Sequence, residues 1–86
     1  MIILYVLEES PYCNKALKEL TKYKIKYKSI IVENTQEAKT HYKKQSGMLT
    51  FPQIFIEKND GSYLKIGGYD DLSLLISNSK DIKKNN

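Results

Sequence analysis

Residues Met1 to Leu7 form an unbroken apolar run, β-branched and aliphatic, that stops at Glu8 and Glu9. A run that is apolar on both faces is the pattern of a central strand covered on two sides. Ser10-Pro11 follows directly and reads as a helix start, with Ser10 as N-cap and Pro11 at the first helical position. On that reading the Ser10 oxygen accepts from the N–H of Tyr12 or Cys13. Cys13, Ala16, Leu17 and Leu20 then recur at i, i+3, i+4 and i+7, the buried stripe of a helix that fades near Tyr23. A two-sided strand feeding straight into a capped helix restricts the remaining chain to elements that cover the strand's other edge and other face.

The rest of the sequence supplies them. Tyr27 to Val32 reads as a second strand, with Ile30, Ile31 and Val32 at its core end. Asn34 or Thr35 caps a second helix that runs to about Gln45 and closes at Ser46-Gly47. Its apolar content, Ala38 and Tyr42, is enough for one face only. Ile54 to Glu57 is a strand, Asn59-Asp60-Gly61 a hairpin turn, and Tyr63 to Ile66 the returning strand. Gly67-Gly68 breaks the pattern. Asp70 and Asp71 open a last short helix, one of them as its N-cap, with Leu72, Leu75 and Ile76 inward. The order β-α-β-α-β-β-α predicts an α/β domain: a parallel pair from the first β-α-β unit, a hairpin added to it, and a mixed four-stranded sheet flanked by three helices. We expect the domain to occupy residues 1–77 and residues 78–86 to form a polar, Lys/Asn-rich tail that frays from Lys80 to Asn86.

Composition narrows the function. The 86 residues suit one small domain with a modest core, and 41% hydrophobic with 28% charged residues is ordinary for a soluble protein. The net charge of +4 comes from lysines scattered among Glu and Asp, with no arginine, which argues against nucleic acid as a partner. A single cysteine and a single histidine make no internal disulfide and no zinc set. The apolar start is too short to span a membrane, and it has neither a preceding basic region nor a small-residue cleavage site, so neither a membrane segment nor a signal peptide is expected. A reducing, cytoplasmic setting and a monomer are the expectation.

Three short motifs fall at element boundaries: Ser10-Pro11-Tyr12-Cys13 after the first strand, Thr50-Phe51-Pro52 before the third, and Gly67-Gly68-Tyr69-Asp70-Asp71-Leu72 before the last helix. Together they resemble a glutaredoxin, whose motifs read Cys-Pro-Tyr-Cys, Thr-Val-Pro and Gly-Gly-x-Asp-Asp-Leu. The resemblance extends to about Ile76 and departs from the family mainly at Ser10 and Phe51. It implies a thioredoxin-like fold, with glutathione as co-substrate, no metal, and disulfide-bearing proteins or glutathione mixed disulfides as substrates.

The resemblance also assigns residues. Ser10 stands at the nucleophile position and Cys13 at the resolving position. A thiol at a helix N-terminus has a depressed pKa and attacks as thiolate, whereas a serine hydroxyl there stays protonated and is a poor nucleophile toward sulfur. Iron–sulfur ligation is disfavoured, because the family uses the first cysteine for it. Phe51-Pro52 matches the family's cis-proline, which turns the Phe51 N–H and C=O outward to pair with glutathione's cysteinyl backbone. Thr50 precedes that pair. The bulk of Phe51 either fills the groove more tightly or is tolerated because its backbone is what binds. Gly68, Tyr69, Asp70 and Asp71 are expected to take the γ-glutamyl end, Tyr12 to cover the sulfur, and Lys39 to reach the glycyl carboxylate. Leu7 replaces a basic residue common in the family, and with Glu8 and Glu9 it would raise the pKa of a cysteine restored at position 10. Ser10 is either an introduced Cys→Ser change, as the retention of every other motif suggests, or natural, in which case the domain binds glutathione or a peptide without chemistry.

Overall fold

A computed structural model of the chain describes residues 1–78. Seven elements follow one another: β1 (Ile2–Leu7), α1 (Pro11–Lys22), β2 (Tyr27–Val32), α2 (Gln36–Ser46), β3 (Gln53–Glu57), β4 (Tyr63–Gly67) and α3 (Tyr69–Ser77). The expected order is the observed one. The tail from residue 79 onward lies outside the described residues; Asn78 closes α3, its N–H donating to Leu74 at 3.0 Å.

The sheet runs β2-β1-β3-β4. β1 pairs parallel with β2, from Ile2↔Tyr27 to Leu7↔Val32. Its other edge pairs antiparallel with β3, from Ile2↔Ile56 to Tyr5↔Gln53. β4 returns antiparallel to β3, with an irregularity between Ile54 and Phe55.

Both faces of β1 are used, as the apolar run requires. Leu4 and Val6 point to one face and pack with Cys13, Ala16 and Leu20 of α1, Ile54 of β3, and Leu72 and Ile76 of α3. Alternation sends Ile3 and Tyr5 to the opposite face. There the Tyr5 ring lies 4.9 Å from that of Tyr42 on α2, and Phe55 meets Tyr5 edge-on at 6.0 Å. α2 buries none of its residues fully, in keeping with its thin apolar content. Thr35 caps it, accepting from the Ala38 N–H at 3.2 Å, and Gly47 closes it in the left-handed conformation. Gln53, at the start of β3, is fully buried and donates through Nε2 to the Met48 carbonyl at 3.3 Å, which ties the loop before β3 to the sheet.

Two expectations about the core fail. Leu75 is 43% exposed, because the inward stripe of this short helix carries only Leu72 and Ile76. Ile31 is 63% exposed, because β2 is an edge strand of which only Val32 is fully buried.

Leu4→Ala should therefore lower the unfolding free energy by about 2–5 kcal/mol, the usual cost of a cavity in a packed core. Leu75→Ala should cost less than about 1 kcal/mol. Urea denaturation of the two variants checks the difference; comparable losses would put Leu75 back in the core.

Candidate functional site

β1 delivers the chain to the start of α1. Ser10 takes extended backbone angles, and its carbonyl accepts the first helical bond, from the Asn14 N–H at 3.0 Å. Its hydroxyl makes no cap bond, contrary to the expectation from sequence. Pro11 has no N–H to satisfy, and the N–H groups of Tyr12 and Cys13 have no helical carbonyl to pair with, so this end keeps its partial positive charge without a side-chain oxygen in front of it.

The peptide bond between Phe51 and Pro52 is cis. Pro52 is buried and Phe51 half-buried against the core. From β4 the chain passes through Gly67, at φ 128°, into Gly68 and the start of α3. Here Gly68 is the N-cap, and neither aspartate is. Asp71 reaches back from the third helical position, and its carboxylate accepts from the Gly68 N–H at 2.9 Å. A Cβ built on Gly68 would lie 3.8 Å from the Pro52 carbonyl oxygen, so the glycine bend and the proline loop are close neighbours.

A groove of about 280 Å³ opens where these segments meet, just below the usual size range of small-molecule sites. Tyr12 lines it from α1, Thr50, Phe51 and Pro52 from the loop before β3, and Gly68, Tyr69, Asp70 and Asp71 from the start of α3. The Tyr12 and Tyr69 rings stand 6.3 Å apart. Eight of the eleven residues singled out from sequence thus come together.

The other three lie elsewhere. Ser10 precedes the lining residue Tyr12 by two positions and is half-buried. Cys13 is 1% exposed; the Leu7 N–H points at its sulfur at 3.4 Å, and it lines a different cavity, of about 450 Å³, with Glu8, Glu9 and Ser29. Lys39 sits half-buried in the first turn of α2 and is not part of the groove lining. A residue not singled out from sequence stands beside the groove instead: the Lys15 ammonium lies 5.2 Å from the Tyr12 ring centroid and 6.0 Å from that of Tyr69. Its position one turn after Tyr12 on the exposed face of α1 was the available signal. No group of three or more His, Cys, Asp or Glu suited to a metal ion occurs among the described residues.

Residues 2–60 match the glutaredoxin family model. The chain belongs to the glutaredoxin family. It is 45% identical over 73 residues to glutaredoxin 1 of Rickettsia prowazekii, covering 83% of this chain and 72% of that protein. The fold is similar to the solution structure of glutaredoxin from Brucella melitensis, with TM-score 0.71 and 32% identity over 95% of this chain and 84% of the other. The buckwheat glutaredoxin–glutathione complex shares the fold, with TM-score 0.70, at 17% identity, covering 98% of this chain and 74% of the other. The thioredoxin-like fold of this glutaredoxin is therefore supported by architecture and by kinship.

The Asp71 brace yields a test. Gly67 has a left-handed φ, and a Cβ there would run into the Asp71 carboxylate. Gly61 also has positive φ, at 87°, but open space around it. Gly67→Ala should cost more stability than Gly61→Ala, by about 1–2 kcal/mol in denaturant titrations. Equal costs would mean that Asp71 does not hold the bend.

Proposed function

We propose that this glutaredoxin is a scaffold for glutathione-dependent thiol–disulfide exchange, and that the Ser10 chain binds glutathione without carrying the exchange out. The observation that carries the reading is the single groove shared by Tyr12, the Thr50–Pro52 loop and the Gly68–Asp71 bend. The complex of the buckwheat protein with glutathione supports the choice of ligand. The cysteinyl backbone pairs with the Phe51 backbone as a short added strand. The γ-glutamyl end lies at the start of α3, its ammonium near an aspartate and its carboxylate at the free N–H groups. The sulfur lies under Tyr12, beside the start of α1. The glycyl end extends past the groove toward Lys39.

With cysteine at position 10, the thiolate held by the α1 dipole would attack the glutathione sulfur of a mixed disulfide. A new sulfur–sulfur bond forms, the old one breaks, and the substrate leaves as a thiolate that takes a proton. A second glutathione thiolate then displaces the first as glutathione disulfide and restores the protein. Serine ends this at the first step. Its hydroxyl is not ionised at neutral pH, and the sole histidine, His41, is on α2 with its ring against Tyr42. Such chemistry belongs in a reducing compartment, so we assign the protein to the cytoplasm as a monomer acting on disulfide-bearing proteins.

A natural binding module is the second reading. It is favoured by Ser10 together with Leu7, Glu8 and Glu9, which place two acids and no cation in the turn before α1. One variant separates the two. Ser10→Cys should raise turnover in a glutathione mixed-disulfide assay by about two orders of magnitude or more. No gain, with glutathione still bound, leaves the binding module; no glutathione binding at all defeats both.

The ligand's orientation is checked by calorimetry. Asp70→Ala, which leaves the Asp71 brace intact, and Lys39→Ala should each weaken glutathione by about three- to ten-fold, the worth of one partly exposed charged contact. Unchanged affinity in both would reverse or displace the ligand.

A further inference from the structure

We infer that Lys15 is a carboxylate-reading residue of this groove, its ammonium receiving the α-carboxylate at the γ-glutamyl end of glutathione. The inference rests on glutathione being the groove's ligand and adds a residue to that site. It starts from a charge imbalance. The lining contains two carboxylates, Asp70 and Asp71, and no cation. Both acids sit in the first turn of α3, the place offered to the ligand's own carboxylate.

A helix N-terminus carries roughly half a positive charge, so two full negative charges in the same turn outweigh it. The Gly68 N–H, one of the few donors there, is already taken by Asp71. An arriving carboxylate therefore meets net repulsion unless a cation stands close by. Lys15 is placed to be that cation. Its ammonium lies near two lining rings, Tyr12 of α1 and Tyr69 at the start of α3, at 5.2 and 6.0 Å from their centroids. Tyr69 is the first residue of α3 and precedes Asp70, so the charge stands beside the start of that helix. The ring faces favour the ammonium electrostatically and restrict the long side chain before the ligand arrives, which lowers the entropy cost of the contact. The stem stays on the exposed face of α1, outside the core stripe of Cys13, Ala16 and Leu20, so the charge can be changed without disturbing packing.

The experiment compares two ligands by calorimetry at low salt: reduced glutathione, and γ-aminobutyryl-cysteinyl-glycine, which lacks only the α-carboxylate. Lys15→Gln should weaken glutathione by about five-fold and leave the decarboxylated tripeptide unchanged. Lys15→Arg should keep most of the preference for glutathione, and the Lys15→Gln loss should shrink as salt is raised. Equal loss for both tripeptides, or none for either, overturns the assignment while leaving glutathione as the ligand. If the unsubstituted protein binds neither tripeptide, the glutathione reading fails and takes this one with it. Circular dichroism of Lys15→Gln should match the parent; a variant that loses helix would show Lys15 to be structural and defeat the inference.

Discussion

Leu4 is held against α1 and α3 on one face of β1 while Ile3 is buried on the other, and the strand is paired along both edges. A strand fixed in this way has no freedom to slide, because a shift of one residue would turn each side chain to the wrong face. Its C-terminal end is then a fixed point. β3 runs antiparallel to β1, so its first residue, Gln53, lies opposite Tyr5 near that same end. β4 runs antiparallel to β3, so its last residue, Gly67, returns to Ile54. The start of α1, the Phe51-Pro52 loop and the start of α3 are brought to one end of the sheet by strand direction alone. The groove follows from topology, with side chains supplying its specificity.

Two helices start at that end, and their electrostatic characters differ. α1 presents a start with no acid in its first turn and no side-chain cap, a place suited to a developing sulfur anion. α3 presents the same backbone dipole behind Asp70 and Asp71, one of which is spent on bracing the glycine bend. One end of the groove therefore favours an anion and the other a zwitterion, whose ammonium meets carboxylate and whose carboxylate needs a cation. The cation–aromatic cluster of Lys15, Tyr12 and Tyr69 spans the gap between the two helices and would supply that cation.

Much of this was legible in the sequence, for a physical reason. Strand and helix periods, the Pro11 start, the Gly47 stop and the Asn59-Asp60-Gly61 turn are local signals, and the local signals agree with the global fold. The motif residues Tyr12, Thr50 to Pro52 and Gly68 to Asp71 were readable because each sits at an element boundary. What escaped depended on relations between elements. Whether Ile31 and Leu75 are buried depends on which strands lie at the edge and how far α3 extends over the sheet. The N-cap role passed from an aspartate to Gly68 because the bend through Gly67 starts the helix two or three residues earlier, leaving Asp71 in position to reach back. Ser10 takes the N-cap backbone angles without a side-chain cap bond, and the Ser-Pro pair alone does not distinguish the two. Lys15 escaped because its contact with Tyr69 joins α1 to a residue more than fifty positions away.

Serine at position 10 leaves the residues of the groove itself untouched. The groove is lined by eight residues, and Ser10 is not among them. Three of them are the proline loop and four the bend into α3, and their positions depend on β3, β4 and the Asp71 brace, none of which involves the residue that starts α1. Exchanging sulfur for oxygen at that residue keeps the extended backbone, the carbonyl that accepts from Asn14 and the proline that follows. What it changes is the acidity and nucleophilicity of one atom. Cys13 does not compensate, because its sulfur is packed in the core stripe and lines the cavity on the Glu8 and Glu9 side rather than the groove. On the proposed reading, recognition and reaction are carried by separable parts of the same corner, so a serine at position 10 leaves the surfaces proposed to recognise the tripeptide in place.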